Sequence, residues 1–184
     1  MVTVPFVAAS DVDTASMVVT ATIFSPACTM ALSPNPLPPL DVESAILRTG
    51  TVSPPQKVTL SLSKCGIGYA AKRPVVILSG THPDPAELSG TDADMAFKDV
   101  GDTLNNTAQG FWIVVGRTQT LLARPLDLYS EGEEVFSGLE NTRGDEAGAA
   151  TSDLFIGVSC MNTSPCGKQA GSLRATLRFT FKYQ

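Results

Sequence analysis

The chain has 184 residues, 43% of them hydrophobic and only 17% charged, with a formal net charge of −5 and a pI near 4.8. That composition supports one domain with a real core and excludes a disordered body. It also excludes nucleic acid as a partner, since such binding rests on clustered Lys and Arg and the sequence has no basic run. No apolar stretch approaches the roughly eighteen residues of a membrane-spanning helix. The N-terminus has neither a cationic segment nor a continuous apolar run, so no signal peptide is expected and Met1 reads as a start residue on a mature sequence.

Along the chain, Val2, Val4, Phe6 and Ala8 alternate with other residues, Pro5 among them, which is a strand pattern. A polar stretch, Ser10 to Ser16, follows, and Met17, Val19, Ala21 and Ile23 alternate again toward Cys28. Residues 31–39 are rich in Pro and read as a loop bordering a sheet, because Pro removes ladder donors. Leu40, Val42 and Ser44 begin another candidate strand. Val58, Leu60 and Leu62 alternate toward Cys65. Val75-Val76-Ile77-Leu78 is a compact apolar run suited to a central strand. Residues 81–109 are polar, with one helical turn expected around Met95 to Val100. Phe111 to Val115 is a strand candidate, and Leu121 to Leu128 a less regular one. Residues 130–152 are acidic and Gly-rich and read as loop. Leu154, Ile156 and Val158 alternate into Cys160. The clearest strand comes last: Leu173, Ala175, Leu177, Phe179, Phe181 and Tyr183 share one face, with polar residues between them. Short strands separated by turn residues, with no amphipathic helix, predict an all-β antiparallel sandwich. The last strand has no successor to cover its second edge, and an uncovered apolar edge is a template for another chain.

Cys28, Cys65, Cys160 and Cys166 lack C-x-x-C spacing, and the lone His82 stands far from them, so zinc is not expected. Disulfides formed in an oxidising compartment are the better reading, and the sequence permits three pairings. His82, Asp84 and Asp92 read as solvated polar residues. Glu131, Glu133, Glu134 and Asp145 match no calcium-loop spacing and read as a solvated acidic loop. No serine sits in G-x-S-x-G, and one histidine gives little material for a triad, so no enzyme and no cofactor are expected. Trp112 and Phe111 are strand neighbours and should face opposite sides, one in the core and one exposed as a candidate sugar platform. Asn105 and Asn162 match N-x-[ST], a pattern that by itself assigns no modification.

Several segments together resemble the chaperone–usher pilins. Thr22-Ile23-Phe24-Ser25-Pro26-Ala27-Cys28-Thr29-Met30 is similar to the first core strand of that family. Val58, Leu60 and Leu62 before Cys65 resemble its second-cysteine strand, and Ser79-Gly80 fits the strand after it. Gly171, fourteenth from the end, and the penultimate Tyr183 resemble the family's C-terminal signature. The match is carried by residues 17–80 and 154–184.

The resemblance implies an immunoglobulin-like antiparallel β-sandwich that lacks its C-terminal, seventh strand and is completed by a donor strand. It implies an N-terminal extension over residues 1–16 and a pilin domain over 17–184. The donor residues would be Val2, Val4, Phe6 and Ala8, with Ala8 or Ser10 where the family carries a glycine. The acceptor groove and chaperone-facing strand would be Gly171, Leu173, Ala175, Leu177, Phe179, Phe181 and Tyr183. Cys28–Cys65 would be the family disulfide. Cys160 and Cys166 are outside the common pattern, and a bridge between them would stiffen a turn. The implied partners are a periplasmic chaperone, an outer-membrane usher and neighbouring pilin subunits, and the implied location is an extracellular fimbrium reached through the periplasm. The implied role is a structural fimbrial subunit that polymerises by donor-strand exchange and contributes to cell adhesion. Two alternatives stay open. One is an adhesive, lectin-like subunit that binds a host receptor through its middle loops. The other is an ordinary complete sandwich in which Val2 to Ala8 folds back onto the last strand.

Overall fold

The computed structural model describes residues 28–43, 47–66, 72–101, 103–104, 106–140, 142–143 and 151–184. The strands expected at Val2 to Ala8 and Met17 to Ile23 lie outside the described residues, as do Ser44, Asn105 and Asp145. The elements are β1 (Thr29–Ser33), β2 (Gln56–Ser63), β3 (Pro74–Gly80), a helical turn α1 (Thr91–Asp94), β4 (Trp112–Gly116), β5 (Glu134–Ser137), β6 (Thr151–Ser159) and β7 (Leu177–Tyr183). The strands form two sheets, ordered β1-β2-β6-β4 and β5-β3-β7, with every pairing antiparallel. With β5 set aside, the order is that of the A-B-E-D and C-F strands of an immunoglobulin-like sandwich.

Period-two alternation decides which face of each strand turns inward. Val58, Leu60 and Leu62 of β2 are buried, while the residues between them are not. Leu60 lies across from Leu32 on β1, and Val58 across from Leu154 on β6. Leu60, Leu78, Val115 and Leu154 are each fully buried and anchor one core shared by the two sheets. Cys65 joins this core and is bridged to Cys28, just before β1.

A second core lies on the outer face of β4. Trp112 and Val114 turn outward and pack with Leu88, Met95, Leu121, Leu128 and Met161. The helical turn is α1, ahead of the Met95 to Val100 position expected from the sequence. Beyond it Phe97 exchanges backbone bonds of 2.9 and 3.0 Å with Ile113. The polar segment after β3 therefore folds over the sheet and does not extend into solvent. This arrangement corrects the reading of the aromatic pair. Trp112 is 1% and Phe111 7% exposed, because β4 is covered on both faces.

Other elements differ from expectation in ways that packing explains. The acidic segment contains β5, whose Val135 and Phe136 enter the core while Arg73 meets both oxygens of Glu134 at 2.7 Å. β1 reaches Ser33, inside the Pro-rich stretch, and stops at Pro34. Leu40 and Val42 form no strand but pack on Phe111 and Val158. Leu121 to Leu128 makes only isolated bridges, at Leu122 and Leu128. β7 starts at Leu177, later than the alternation at Leu173 predicts, because β3 ends at Gly80 opposite Leu177 and offers nothing further to pair with.

Candidate functional site: the open edge of the last strand

β7 pairs with β3 along one edge only; among the described residues no strand lies along the other. Gln184 and Arg73 exchange both backbone bonds, at 3.0 and 2.7 Å. In an antiparallel pair, the residues that do this alternate with residues whose backbone groups point away. The even-numbered residues of the last segment thus turn to β3, and the odd-numbered ones turn to the open edge. Leu173, Ala175, Leu177, Phe179 and Phe181 have their apolar side chains on the inner face too. They remain half-buried, while polar residues between them are exposed. Large apolar side chains that face inward and stay half-exposed lack a layer on one side.

The missing layer is a groove. A cavity of about 700 Å³ runs between two walls. Leu173, Ala175, Leu177 and Phe179, with Gly171 at the end, form one wall. Leu37, Leu40 and Val42 with Pro34, Pro38 and Pro39 form the other. Val58, Ile113, Ile156 and Val158 make the floor, which is the inner face of the four-stranded sheet. Phe181 and Tyr183 lie past the lined part. Phe181 packs on the main core and meets the Tyr183 ring edge-on at 5.2 Å. The Tyr183 hydroxyl donates to the Gly66 carbonyl beside the Cys28–Cys65 bridge. Gly171 is forced to be small: a Cβ there would meet the Ala108 nitrogen at 2.8 Å and the Thr107 carbonyl carbon at 2.9 Å.

Sequence reasoning placed the β7 wall but not the facing one, since Leu37 to Val42 lie in a Pro-rich stretch without periodicity. It also missed Asp99, Asn106 and Thr107, which bond the segment just before β7. The approach of those loop residues is long-range and has no local signal.

Solved structures share this architecture. The crystal structure of the P pilus rod subunit PapA aligns with a TM-score of 0.52 and 18% identity, over 85% of this chain and 99% of that one. A structure of a chaperone–usher pilus that bears on rod uncoiling aligns with a TM-score of 0.53 and 16% identity, over 97% and 100%. The fold is that of chaperone–usher pilus subunits. No family model and no curated protein matches the sequence.

Away from the groove lining of this pilin fold, charged side chains hold structure together. Glu131, Glu133 and Glu134 are each taken by a different cation: His82, Arg117 and Arg73. Glu133 also accepts from the Ser130 amide, and Arg117 lies over the Tyr129 ring at 4.0 Å. His82 is not merely solvated. Its Nδ1 is 2.8 Å from the Ala93 carbonyl and 3.1 Å from that of Ala96, while Nε2 meets Glu131. Both ring nitrogens thus face acceptors, which only the protonated ring satisfies. Burial pushes its pKa down, but the hydrogen bonds to Glu131 and to the two carbonyls outweigh that and hold it above the ordinary value. Asp84 accepts from the Ala86 amide, and Asp92 accepts from the Asn162 side chain, so neither joins His82 in a cluster. Among the described residues no group of three His, Cys, Asp or Glu side chains is placed to hold a metal.

A second bridge, Cys160–Cys166, spans a Cα separation of 5.3 Å and closes the turn before the last segment. Both cysteines belong to a cluster that includes Phe111, Val158 and Leu173, three residues of the groove lining.

Proposed function

We propose that this chain is a structural subunit of a chaperone–usher fimbria that polymerises by donor-strand exchange. The observation that carries the reading is the edge from Leu173 to Phe179, where backbone groups and apolar side chains face a groove that no described strand fills. Strand addition supplies ladder bonds to such an edge while alternate side chains fill its pockets. The sandwich then lacks the seventh strand beside β7, and a donor completes it: first one lent by a periplasmic chaperone, then the N-terminal extension of a neighbouring subunit delivered at an outer-membrane usher. Residues 1–16 form that extension and 17–184 the pilin domain, and the fibre is extracellular. As part of the fibre the subunit contributes to cell adhesion.

The donor chemistry fits the groove. In an antiparallel pairing, Val2, Val4, Phe6 and Ala8 turn their backbone groups toward the β7 edge and their side chains into the groove. Pro5, which has no N–H, then turns to the opposite wall, where Pro34, Pro38 and Pro39 have none to offer in return. Burying the four apolar donor side chains contributes on the order of 6–10 kcal/mol before ordering costs. A joint of that strength dissociates slowly. The adhesive reading through the middle loops loses its platform, because Trp112 and Phe111 are both buried.

The test is multimer formation by the full chain, read as ladders on unboiled gels. Ladders that vanish when residues 1 to 12 are deleted support the proposal. Ladders that persist after the deletion sink the donor assignment. A full chain that stays monomeric with its groove filled by its own Val2 to Ala8 supports the complete-sandwich alternative.

A further inference from the structure

The acceptor edge is longer than the ladder that supports it. β3 stops at Gly80, opposite Leu177, so among the described residues Ser172 to Thr176 have no strand to lie against. Ordering such a stretch unaided costs backbone conformational entropy at every residue. It nevertheless keeps the same alternation of half-buried and exposed residues as β7.

Side chains of the loop after Phe97 take the place of the missing strand. The Asp99 carboxylate accepts from the Thr176 amide at 2.7 Å and from the Thr176 hydroxyl at 2.9 Å. The Asn106 side-chain oxygen accepts from the Arg174 amide at 2.5 Å, and its nitrogen donates to the Asp99 carbonyl at 2.8 Å. The Thr107 hydroxyl accepts from the Ser172 amide at 2.9 Å. Backbone bonds from Asp99 to Arg174 and from Ala108 to Ser172, both 2.9 Å, complete the seam. Every one of these contacts that reaches the segment falls on an even-numbered residue. Leu173 and Ala175 are left to present their backbone groups to the groove, in phase with Leu177 and Phe179. Gly171 lets the seam close, since a Cβ there would strike Thr107 and Ala108.

We propose that Asp99, supported by Asn106 and Thr107, is a positioning residue of the acceptor edge: it acts as a surrogate strand that adds Leu173 and Ala175 to the ladder an incoming strand can form. A carboxylate suits the role because the loop diverges from the strand there, and charge-assisted bonds are about twice as strong as neutral ones. The inference rests on the strand-exchange reading above.

Amide hydrogen exchange on multimers of the full chain tests it, comparing the wild type with Asp99→Ala. In wild-type multimers the amides of Leu173, Ala175, Leu177, Phe179 and Phe181 should all be protected. In Asp99→Ala multimers, exchange at Leu173 and Ala175 should rise about tenfold or more, with Phe179 and Phe181 unchanged. Unchanged protection at Leu173 and Ala175 in the variant overturns the positioning role. Free exchange at those two amides in the wild type, with Phe179 protected, overturns the longer edge. If Phe179 and Phe181 also exchange freely in wild-type multimers, strand exchange itself fails. Asn106→Ala, which leaves the Asp99 carboxylate in place, covers the case in which Asp99→Ala does not fold. It should raise exchange at Leu173 and spare Phe179, and no change at Leu173 overturns the seam.

Discussion

Gly171 and His82 show two kinds of control exerted by single residues. At Gly171 the constraint is space. In Gly171→Ala the new methyl meets backbone atoms of residues 107 and 108, which cannot swing aside as a side-chain tip can. The variant should lose about 1–3 kcal/mol of stability, read as a lower urea midpoint. At His82 the constraint is charge. Its folded-state pKa is raised above the unfolded value of about 6.5, so its stabilising increment is complete below that pH and is lost as pH rises through the folded value. The wild-type urea midpoint should therefore fall from pH 5.5 to pH 8.5 by more than that of His82→Gln. Equal slopes for the two proteins would show that the contacts with Glu131, Ala93 and Ala96 do not bias the proton.

Among the elements, β4 and β7 sit at opposite extremes of cover. β4 has a core on each face, so its apolar run Trp112 to Val115 is continuous. Among the described residues β7 has a strand along one edge only; its alternation is clean and its inward residues stay half-exposed. The disulfides act on the elements around these strands. Cys28–Cys65 closes a sequence separation of 37 and Cys160–Cys166 one of 6. Chain-entropy reasoning assigns about 4 kcal/mol to the first and about 2 kcal/mol to the second. Cys28→Ala/Cys65→Ala should thus lower the unfolding free energy roughly twice as much as Cys160→Ala/Cys166→Ala, measured by urea titration without reductant. The short bridge should matter more locally. Because it shares a cluster with Leu173 and Phe111, its loss should speed amide exchange at Leu173 ahead of Phe179.

At the scale of the whole molecule, no described strand fills the groove of about 700 Å³, and an open apolar groove is a liability until a strand enters it. Subunits deprived of residues 1 to 12 should bind the apolar dye ANS, and dye fluorescence should fall when a peptide of residues 1 to 12 is added. Unchanged fluorescence would mean that the groove does not admit this segment. The strand side of this picture was legible in the sequence. Alternation fixes which residues of β2, β6 and β7 point inward, because a strand's side chains switch faces at every residue whatever lies around it. The Leu173 to Tyr183 pattern, with Gly171 before it, was thus visible without a structure. What packs against each face was not legible. Nothing local in residues 81–109 says that they cover the outer face of β4, which is why one of Trp112 and Phe111 was expected to be exposed. Nothing local in the acidic segment marks β5, which exists because Val135 and Phe136 find the core and Arg73 matches Glu134. The same holds for the groove. Composition and period determined one wall, and only the tertiary structure supplied the Pro-rich wall opposite and the Asp99 seam. Those depend on segments far apart in the chain meeting in space, and period-two alternation records a strand's faces but not its neighbours.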